Sequence, residues 1–505
     1  PFALAILDIA HGIGLLAVDR MGIRTLCYAN PHGKMVFGPT TDSVLAHPEV
    51  TRELSDQGIF NYLYCHTVPS PGTVYKAVQK LLPGECVIFR NGRIERKSYW
   101  RLEYADETAP GTALEERFHS LLRESVARAV NGDRAGAFLS GGTDSSTVTG
   151  ILSEIRGRPV DTYSIGFAAD GFDEMDYARI TARHFGARAH EYYVTPQDVV
   201  DAIPLIAQHY DEPFGNDSAV PTYYCARLAR EDGIEVMLAG DGGDEIFGGN
   251  VRYAKQKIFE YYGLIPQAVR RGLIEPLVFS MPAADKLPPL RKVKSYIRQA
   301  NVPLPDRLET YNFLHRQPLA EIFEADFLAR VDAQGPLRQM REVYRSTLSD
   351  SAINRMLHLD LKQTLADNDL RKVSRMCDAA GVEVRYPLID EALVEFSGQL
   401  PASLKVKGLK LRYFFKQALR DFLPPQTIAK SKHGFGVPFG VWMKEYKPLR
   451  ELTLSSLEAL QHRGYIKPSY VRQVLHAHQT GHATYFGKMI WVMTMLERWL
   501  AARDL

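Results

Sequence analysis

The sequence predicts an α/β protein: a parallel, doubly wound sheet preceded by a smaller β-rich region. Three observations carry this. From residue 135 to 240, short apolar runs alternate with segments of helical periodicity, the pattern of strands joined by crossover helices. Two of those runs, Ala135–Leu139 and Ile234–Gly240, end in glycine-rich acidic turns. Residues 1 to about 100 instead carry short apolar runs separated by turn signals.

The N-terminal runs are FALAILD and GLLAVD, separated by AHGI, then TLCYA, MVFG and ECVIF, with RNGRI near residue 92 as a hairpin turn. The stretch YADETAPGT, residues 104 to 112, is polar and turn-rich and marks the boundary between a region 1–104 and a region 113–505. Phe118, Leu121, Leu122, Val126 and Ala129 then mark one helical face, and Val148, Ile151, Leu152 and Ile155 a second. DTYSIGF and HEYYV read as strands around a helix from Asp176 to Phe185, closed by Gly186. Thr195-Pro196-Gln197-Asp198 starts another helix with a cap, a first-turn proline and an acid three residues on. Beyond residue 255 the pattern is mostly helical.

At 505 residues, 45% hydrophobic and 24% charged, the chain has ordinary soluble composition and exceeds the roughly 300 residues of a single core, so two or more domains are expected. A net charge of +2 gives no nucleic-acid footprint. No apolar run approaches the ~18 residues of a membrane span, and the N-terminus is not a signal peptide. The cysteines, Cys27, Cys65, Cys86, Cys225 and Cys377, form no CxxC pair, which fits a reducing cytoplasm. The chain opens at Pro1 within a strand-like run, which reads as a fragment or a trimmed product.

The sharpest chemical signal is Ser140-Gly141-Gly142-Thr143-Asp144-Ser145-Ser146, between a strand and a helix. Paired glycines let the backbone approach a ligand, and hydroxyls with free N–H groups at a helix start favour an anion. No loop lysine stands there, as a Walker loop would require. An aspartate beside phosphate needs a divalent cation between them. The plain alternative is a strand-to-helix turn with a capping serine. The second signal, Gly240-Asp241-Gly242-Gly243-Asp244-Glu245, also follows a strand, where open parallel sheets bind ligands. Two carboxylates about 4 Å apart repel by roughly 4 kcal/mol at an effective dielectric near 20, a cost that magnesium relieves. An acidic surface turn is the alternative. The third signal is Lys430-Ser431-Lys432-His433-Gly434-Phe435-Gly436, a lysine in a glycine-rich loop able to meet developing negative charge. The fourth is Gly381-Val382-Glu383-Val384-Arg385-Tyr386-Pro387, where Glu383 and Arg385 share a face and read by default as a structural ion pair. Two decoys fail: Gly12–Ala17 mimics a dinucleotide fingerprint without a following helix, and Gly481–Lys488 mimics a Walker loop with one residue too many.

Taken in this order, with Asp211-Glu212-Pro213-Phe214 between the first two, the motifs resemble the asparagine synthetase family along essentially the whole chain. The resemblance implies a pyrophosphatase-type (adenine nucleotide α-hydrolase-like) synthetase domain over 113–505. It also implies part of a β-rich, Ntn-type glutaminase domain over 1–104. ATP and Mg2+ would be the cofactors, with phosphates on Ser140, Gly141, Gly142, Asp144 and Ser145. Leu139, Ile165, Ala239 and Gly240 would line adenine and ribose. Asp144 and Asp244 would hold magnesium, and Lys432 would steady pyrophosphate and the tetrahedral intermediate. Asp241 and, in second rank, Glu383 are the acid candidates. The implied reaction activates a carboxylate, by default L-aspartate, as an acyl-adenylate and transfers ammonia derived from glutamine. Peptide, antibiotic or surface-sugar substrates are alternatives, as is a non-catalytic nucleotide-binding partner. Adenylators of a tRNA base, nicotinate dinucleotide or xanthylate lack the second and third motifs. No nucleic acid or membrane is an expected partner, and a homodimer is a candidate assembly. Departures are Lys430 for the usual Arg, Ser374 for the usual Asp, and no Cys before Cys27, so glutamine hydrolysis is not expected of this polypeptide.

Overall fold

The computed structural model describes residues 1–105, 111–130, 132, 134–169, 171–280, 287–431 and 436–505. The N-terminal apolar runs pair as an antiparallel sheet in the order β1 (Ala3–Asp8), β2 (Ile13–Val18), β6 (Glu85–Arg90), β7 (Arg93–Ser98). Asn91 and Gly92, at φ of 51° and 77°, close the β6–β7 hairpin as the Asn-Gly pair predicts. A smaller sheet sets β4 (Val36–Gly38), β3 (Cys27–Ala29) and β5 (Gln79–Lys80) side by side. The predicted boundary lies mostly on residues 106–110, outside the described residues; the next helix runs Gly111–Val130 and buries Leu114, Phe118, Leu122 and Val126 along one face.

The predicted parallel sheet is present. It contains β8 (Ala135–Phe138), β9 (Asp161–Phe167), β10 (Arg188–Val194), β11 (Val236–Leu238) and β12 (Glu383–Arg385), in the spatial order β10-β9-β8-β11-β12. All four neighbouring pairs are parallel. Both faces are covered: along β11, Met237 belongs to one apolar core while Val236 and Leu238 belong to another. The helix Pro196–His209 starts with the predicted capping box of Thr195 and Asp198 and with Pro196 in its first turn. The third predicted helix, Met175–His184, is followed by Gly186 at φ 62°.

Strand order places the chemistry. The chain moves outward from β8 through β9 to β10, then returns to the other side of β8 for β11. The order therefore reverses between β8 and β11, and the crevice beyond the carboxyl ends of such a strand pair is where open α/β sheets take ligands. The two glycine-rich acidic turns follow these two strands.

Past Val251 the described chain is mostly helical, as predicted. One helical stretch, Asp360–Asp369, has the wider π-type turn and continues directly into the helix Leu370–Ala380. This segment lies against the N-terminal region. Buried Lys80 donates to Val68 O and Glu212, both at 2.7 Å, and Arg371 donates to Glu212 (2.9 Å) and Asp211 (3.2 Å). Asp211 also accepts from the Thr41 amide at 2.7 Å, and Asp367 from the Ser70 amide at 2.9 Å. Asp211-Glu212 thus seams the two regions together.

Candidate functional site

The first turn is built around a glycine requirement. Gly141 lies at φ 67°, and a Cβ there would collide with the backbone of Tyr177 and Ala178. The loop thus turns back tightly and delivers Thr143 and Asp144 at the start of the helix Thr143–Arg156. Ser145 Oγ lies 3.2 Å from the Ser140 amide and 3.1 Å from Ser140 Oγ, holding the loop as a small ring of hydroxyls and amides. Lys430 closes it from outside, donating to Ser140 O at 3.0 Å, pairing with Glu174 at 3.1 Å and stacking on Tyr177. Burial pulls the Lys430 ammonium below its usual range, and Glu174 opposes that.

The second turn packs directly on the first. A side chain at Gly243 would strike the Asp144 carboxylate, and one at Gly240 would meet the Ser145 amide at 2.7 Å. Asp144 and Asp244 therefore converge, and one guanidinium joins them: Arg412 bonds both Asp144 oxygens and Asp244 Oδ1, its Nε–Asp244 bond being 2.9 Å, and it donates to Thr143 Oγ1 at 2.6 Å. Arg412 arrives from a short hairpin, Val406–Lys407 with Lys410–Leu411, and sits at φ 50° ahead of the helix Tyr413–Ala418. Burial would push its pKa down, but the two aspartates hold it above the usual arginine range.

The turns line one cleft of about 880 Å3. Leu139, Ser140, Gly142, Asp144, Ser145, Ile165, Gly240, Asp241 and Asp244 all line it, so most of the residues singled out in the sequence come together. Ala239 is fully buried behind this wall, its amide bonded to Arg385 O at 2.9 Å. Lys432 lies outside the described residues, while Lys430 and Ser431 of the same loop reach the cleft. Glu383 is not brought here. It opens β12 opposite Val236, at the amino end of the strands and away from the crevice, and it is exposed, with both its oxygens on Arg385 at 2.8 and 3.0 Å. The alternation that put Glu383 and Arg385 on one face is real, and the plain ion pair is what it makes.

A second charged group lines the cleft beside Asp241. Lys372 lies 3.8 Å from Asp241 and 3.3 Å from Asp369. Burial, opposed by Lys372 and reinforced by Asp369 and Asp144, pushes the Asp241 carboxyl up to about 6. Arg412, Lys372 and Asp369 were not singled out in the sequence because a charged residue in a helix or after a hairpin looks like surface charge. Only the short Lys407-Gly408-Leu409-Lys410 turn hinted that Arg412 is held in place.

Two carboxylates converging on a single cation are the donor set magnesium takes when phosphate oxygens and water complete its shell. Among the described residues no three His, Cys, Asp or Glu side chains form a closed metal cage. No described helix is long and apolar enough to cross a membrane. Burial raises the thiols of Cys27, Cys65, Cys86, Cys225 and Cys377 above their usual range, so each is held as the protonated, weakly nucleophilic form.

Comparison with known proteins identifies the family. Residues 117–501 match the family model described as asparagine synthase, and residues 1–100 the one described as a glutamine amidotransferase domain. Asparagine synthetase (glutamine-hydrolyzing) 1 of Bacillus subtilis is 26% identical over 491 residues, covering 96% of this chain and 74% of its own. A putative asparagine synthetase (glutamine-hydrolyzing) of Mycobacterium bovis is 26% identical over 514 residues, covering 99% and 76%. A putative asparagine synthetase (glutamine-hydrolyzing) 2 of Methanocaldococcus jannaschii is 31% identical over 275 residues, 53% of each chain. With 385 residues under the synthase model and two strand-end turns meeting at a switch point, the chain belongs to the asparagine synthase family.

Proposed function

We propose that this protein is an ATP-dependent, amide-forming ligase that activates a carboxylate, by default that of L-aspartate, as an acyl-adenylate and then transfers ammonia to it. The observation that carries the reading is the convergence of Asp144 and Asp244, from two different strand ends, on one shared cation. The family supports ATP use and an amidotransferase partnership, and the glutamine amidotransferase match over residues 1–100 supports glutamine as the source of ammonia.

In this reading the Ser140–Ser145 loop cradles the phosphates with its amides and hydroxyls. Leu139, Ile165 and Gly240 form the wall for adenine and ribose, backed by the buried Ala239. Asp144 and Asp244 would hold Mg2+, which when bound neutralises charge on the pyrophosphate leaving group. The substrate carboxylate oxygen attacks the α-phosphorus, the bond to the bridging oxygen breaks, and pyrophosphate departs with that electron pair. Lys432, Lys430 and Arg412 supply positive charge along its path. The lone pair of ammonia then forms the C–N bond, the tetrahedral adduct expels AMP, and Asp241 takes the proton released from nitrogen. A group with a pKa of about 6 suits that transfer near neutral pH.

The test is release of pyrophosphate from Mg-ATP in the presence of candidate acids and ammonia. Release that depends on an acid supports the ligase. ATP binding without pyrophosphate release for any acid overturns it in favour of a nucleotide-binding partner.

A further inference from the structure

We propose that the helical arm over residues 251–300 docks on an anionic lipid surface, with a pocket of Arg270, Arg271 and Arg307 taking a lipid phosphate headgroup. This surface is independent of the ligase reading above.

The whole-chain net charge of +2 hides a division. Residues 251–300 hold ten Lys and Arg against three Asp and Glu, a balance of +7, so the rest of the chain stands at −5. Among the described residues of this arm three helical stretches pack together: Val251–Gly263, 267–280 with a π-type turn at Arg270–Ile274, and Pro288–Ala300. Tyr296 ties the third to the first by donating to Ile258 O at 2.7 Å, and Glu275 of the second accepts from Tyr262 at 3.2 Å and from Asn301 at 3.0 Å. Val269, Leu273 and Leu277 recur every four residues and so share one face of the second stretch. All three are exposed, Leu273 by 64% and Leu277 by 56%. Leu264, Phe279, Leu287 and Val293 of the same arm are exposed as well, and so are Lys255, Arg271, Arg291, Lys292 and Arg298.

A pocket of about 270 Å3 opens on the second stretch, lined by Gln267, Arg270, Arg271, Glu275, Asn301 and Arg307 among others. Arg307 is buried and fixed as its wall, donating to Val302 O at 2.7 Å, Ala300 O at 3.3 Å and Glu260 at 3.3 Å. Arg271 meets the neutral Gln267 amide at 3.1 Å, which adds no countercharge. Arg270 stacks on Tyr262, and its Nε is buried without a hydrogen-bond partner among the described residues. Glu275, the acid of this lining, is held by Tyr262 and Asn301. A buried donor left unpaired calls for an acceptor, and phosphate oxygens are the acceptors that guanidiniums match best. The apolar side chains decide the source of that phosphate. A soluble anion would use the pocket alone and gives no reason for leucines in water around it. A bilayer surface accounts for both, because exposed leucines enter the acyl boundary while the cations beside them meet anionic headgroups. A protein partner would have to cover cations scattered between the leucines, and interface cores are depleted of charged residues. No described helix is long and apolar enough to cross a membrane, so the docking is to its surface. The arm starts at Val251, which lines the cleft, so docking ties the cleft to that surface.

The experiment is vesicle co-sedimentation of the full chain at low and high salt, beside calorimetric titration with inorganic phosphate. The vesicles are phosphatidylcholine alone and phosphatidylcholine with phosphatidylglycerol at three to one. The protein is expected on the mixed vesicles at low salt, to leave them at high salt, and to ignore the neutral ones. Leu273→Asp with Leu277→Asp, and Arg270→Gln with Arg271→Gln, should each lower vesicle affinity by at least about 10-fold. The urea midpoint should stay at its wild-type value in both, which reports an intact fold. No binding of the wild type to mixed vesicles, equal binding to both kinds, or affinity that either double variant leaves unchanged would overturn the docking surface. Phosphate that fills the pocket while vesicles are ignored would overturn it in favour of a soluble anion. Polyglutamate bound where vesicles are not would overturn it in favour of an acidic protein. A dimer that Leu273→Asp breaks, with vesicles ignored, would overturn it in favour of a second copy of this chain.

Discussion

Arg371 and Lys372 are neighbours in the chain and face opposite environments. Arg371 points into the seam between the N-terminal region and the parallel sheet, where Asp211, Glu212, Lys80 and Arg375 surround it in the interior. Lys372 points into the cleft, where Asp369 and Asp241 meet it at the edge of about 880 Å3 of open space. Both clusters mix acids with bases at similar distances. They differ in whether a ligand can enter. In the sealed cluster the protein partners are the only ones available, so its charges act on stability. In the open clusters around Lys372 and Arg412 a ligand can replace a protein partner, so those charges are free to act on chemistry. A residue's function here follows from which side of one helix it leaves.

The largest effect is expected at the open end. Asp144→Asn keeps the shape of the turn but removes half the carboxylate charge that converges on Arg412 and that would hold magnesium in the proposed reaction, and pyrophosphate release should fall by about 100-fold or more. Wild-type release would mean that these carboxylates do not hold the metal. At the sealed end, Arg371→Met leaves Asp211 and Glu212 buried with fewer partners. It should cost about 3–5 kcal/mol of stability, read from urea unfolding, while the ATP affinity of the folded protein holds. Acid should reach the same network. Burial would raise the Asp211 carboxyl, but Arg371 and Arg375 outweigh it and hold it well below the usual carboxylate range. Its folded pKa is depressed, so its contribution is complete above about pH 4 and is lost as pH falls from there through the folded value. An unfolding midpoint that Arg371→Met leaves unchanged would break the contrast between the two faces.

Asp241 sharpens the contrast, since it titrates at the mouth of the open cluster. Its carboxyl is pushed up to about 6, and in the proposed mechanism its ionised form takes the proton. The amide-forming step should therefore lose about tenfold per pH unit below about 6. Asp241→Asn should be slow and should lack this limb. An unchanged acid limb in the variant would assign it to another group.

The sheet and both acidic turns were legible because local rules govern them. Alternating apolar runs, the Thr195–Asp198 cap and the Asn91-Gly92 hairpin each act over a few residues. The convergence of Asp144 with Asp244 was also within reach, since strand ends at a switch point meet. Arg412 and Lys372 were not legible, because the aspartates that bring them to the cleft, Asp244 and Asp241, lie more than a hundred residues away, and the nearby Asp369 makes Lys372 look like an ordinary surface pair along one helix. β12 showed its alternation but not its place: its pairing with β11, more than a hundred residues earlier, left no local trace.

Glu383 is the smallest effect and the cleanest control. It stands in a motif beside a strand end that lines the cleft, yet it opens β12 at the amino end, opposite the carboxyl ends where the cleft lies. Its carboxylate lies against Arg385, two residues on along the same strand, and the pair is solvent-facing on the acid's side. Exposed pairs of this kind are worth about 0–1 kcal/mol because water competes for both charges. Glu383→Gln should therefore shift the urea midpoint little and leave pyrophosphate release, aspartate KM and the pH profile at their wild-type values. A large fall in the amide-forming step alone would return Glu383 to the chemistry, and would mean that the edge strand moves toward the cleft during turnover.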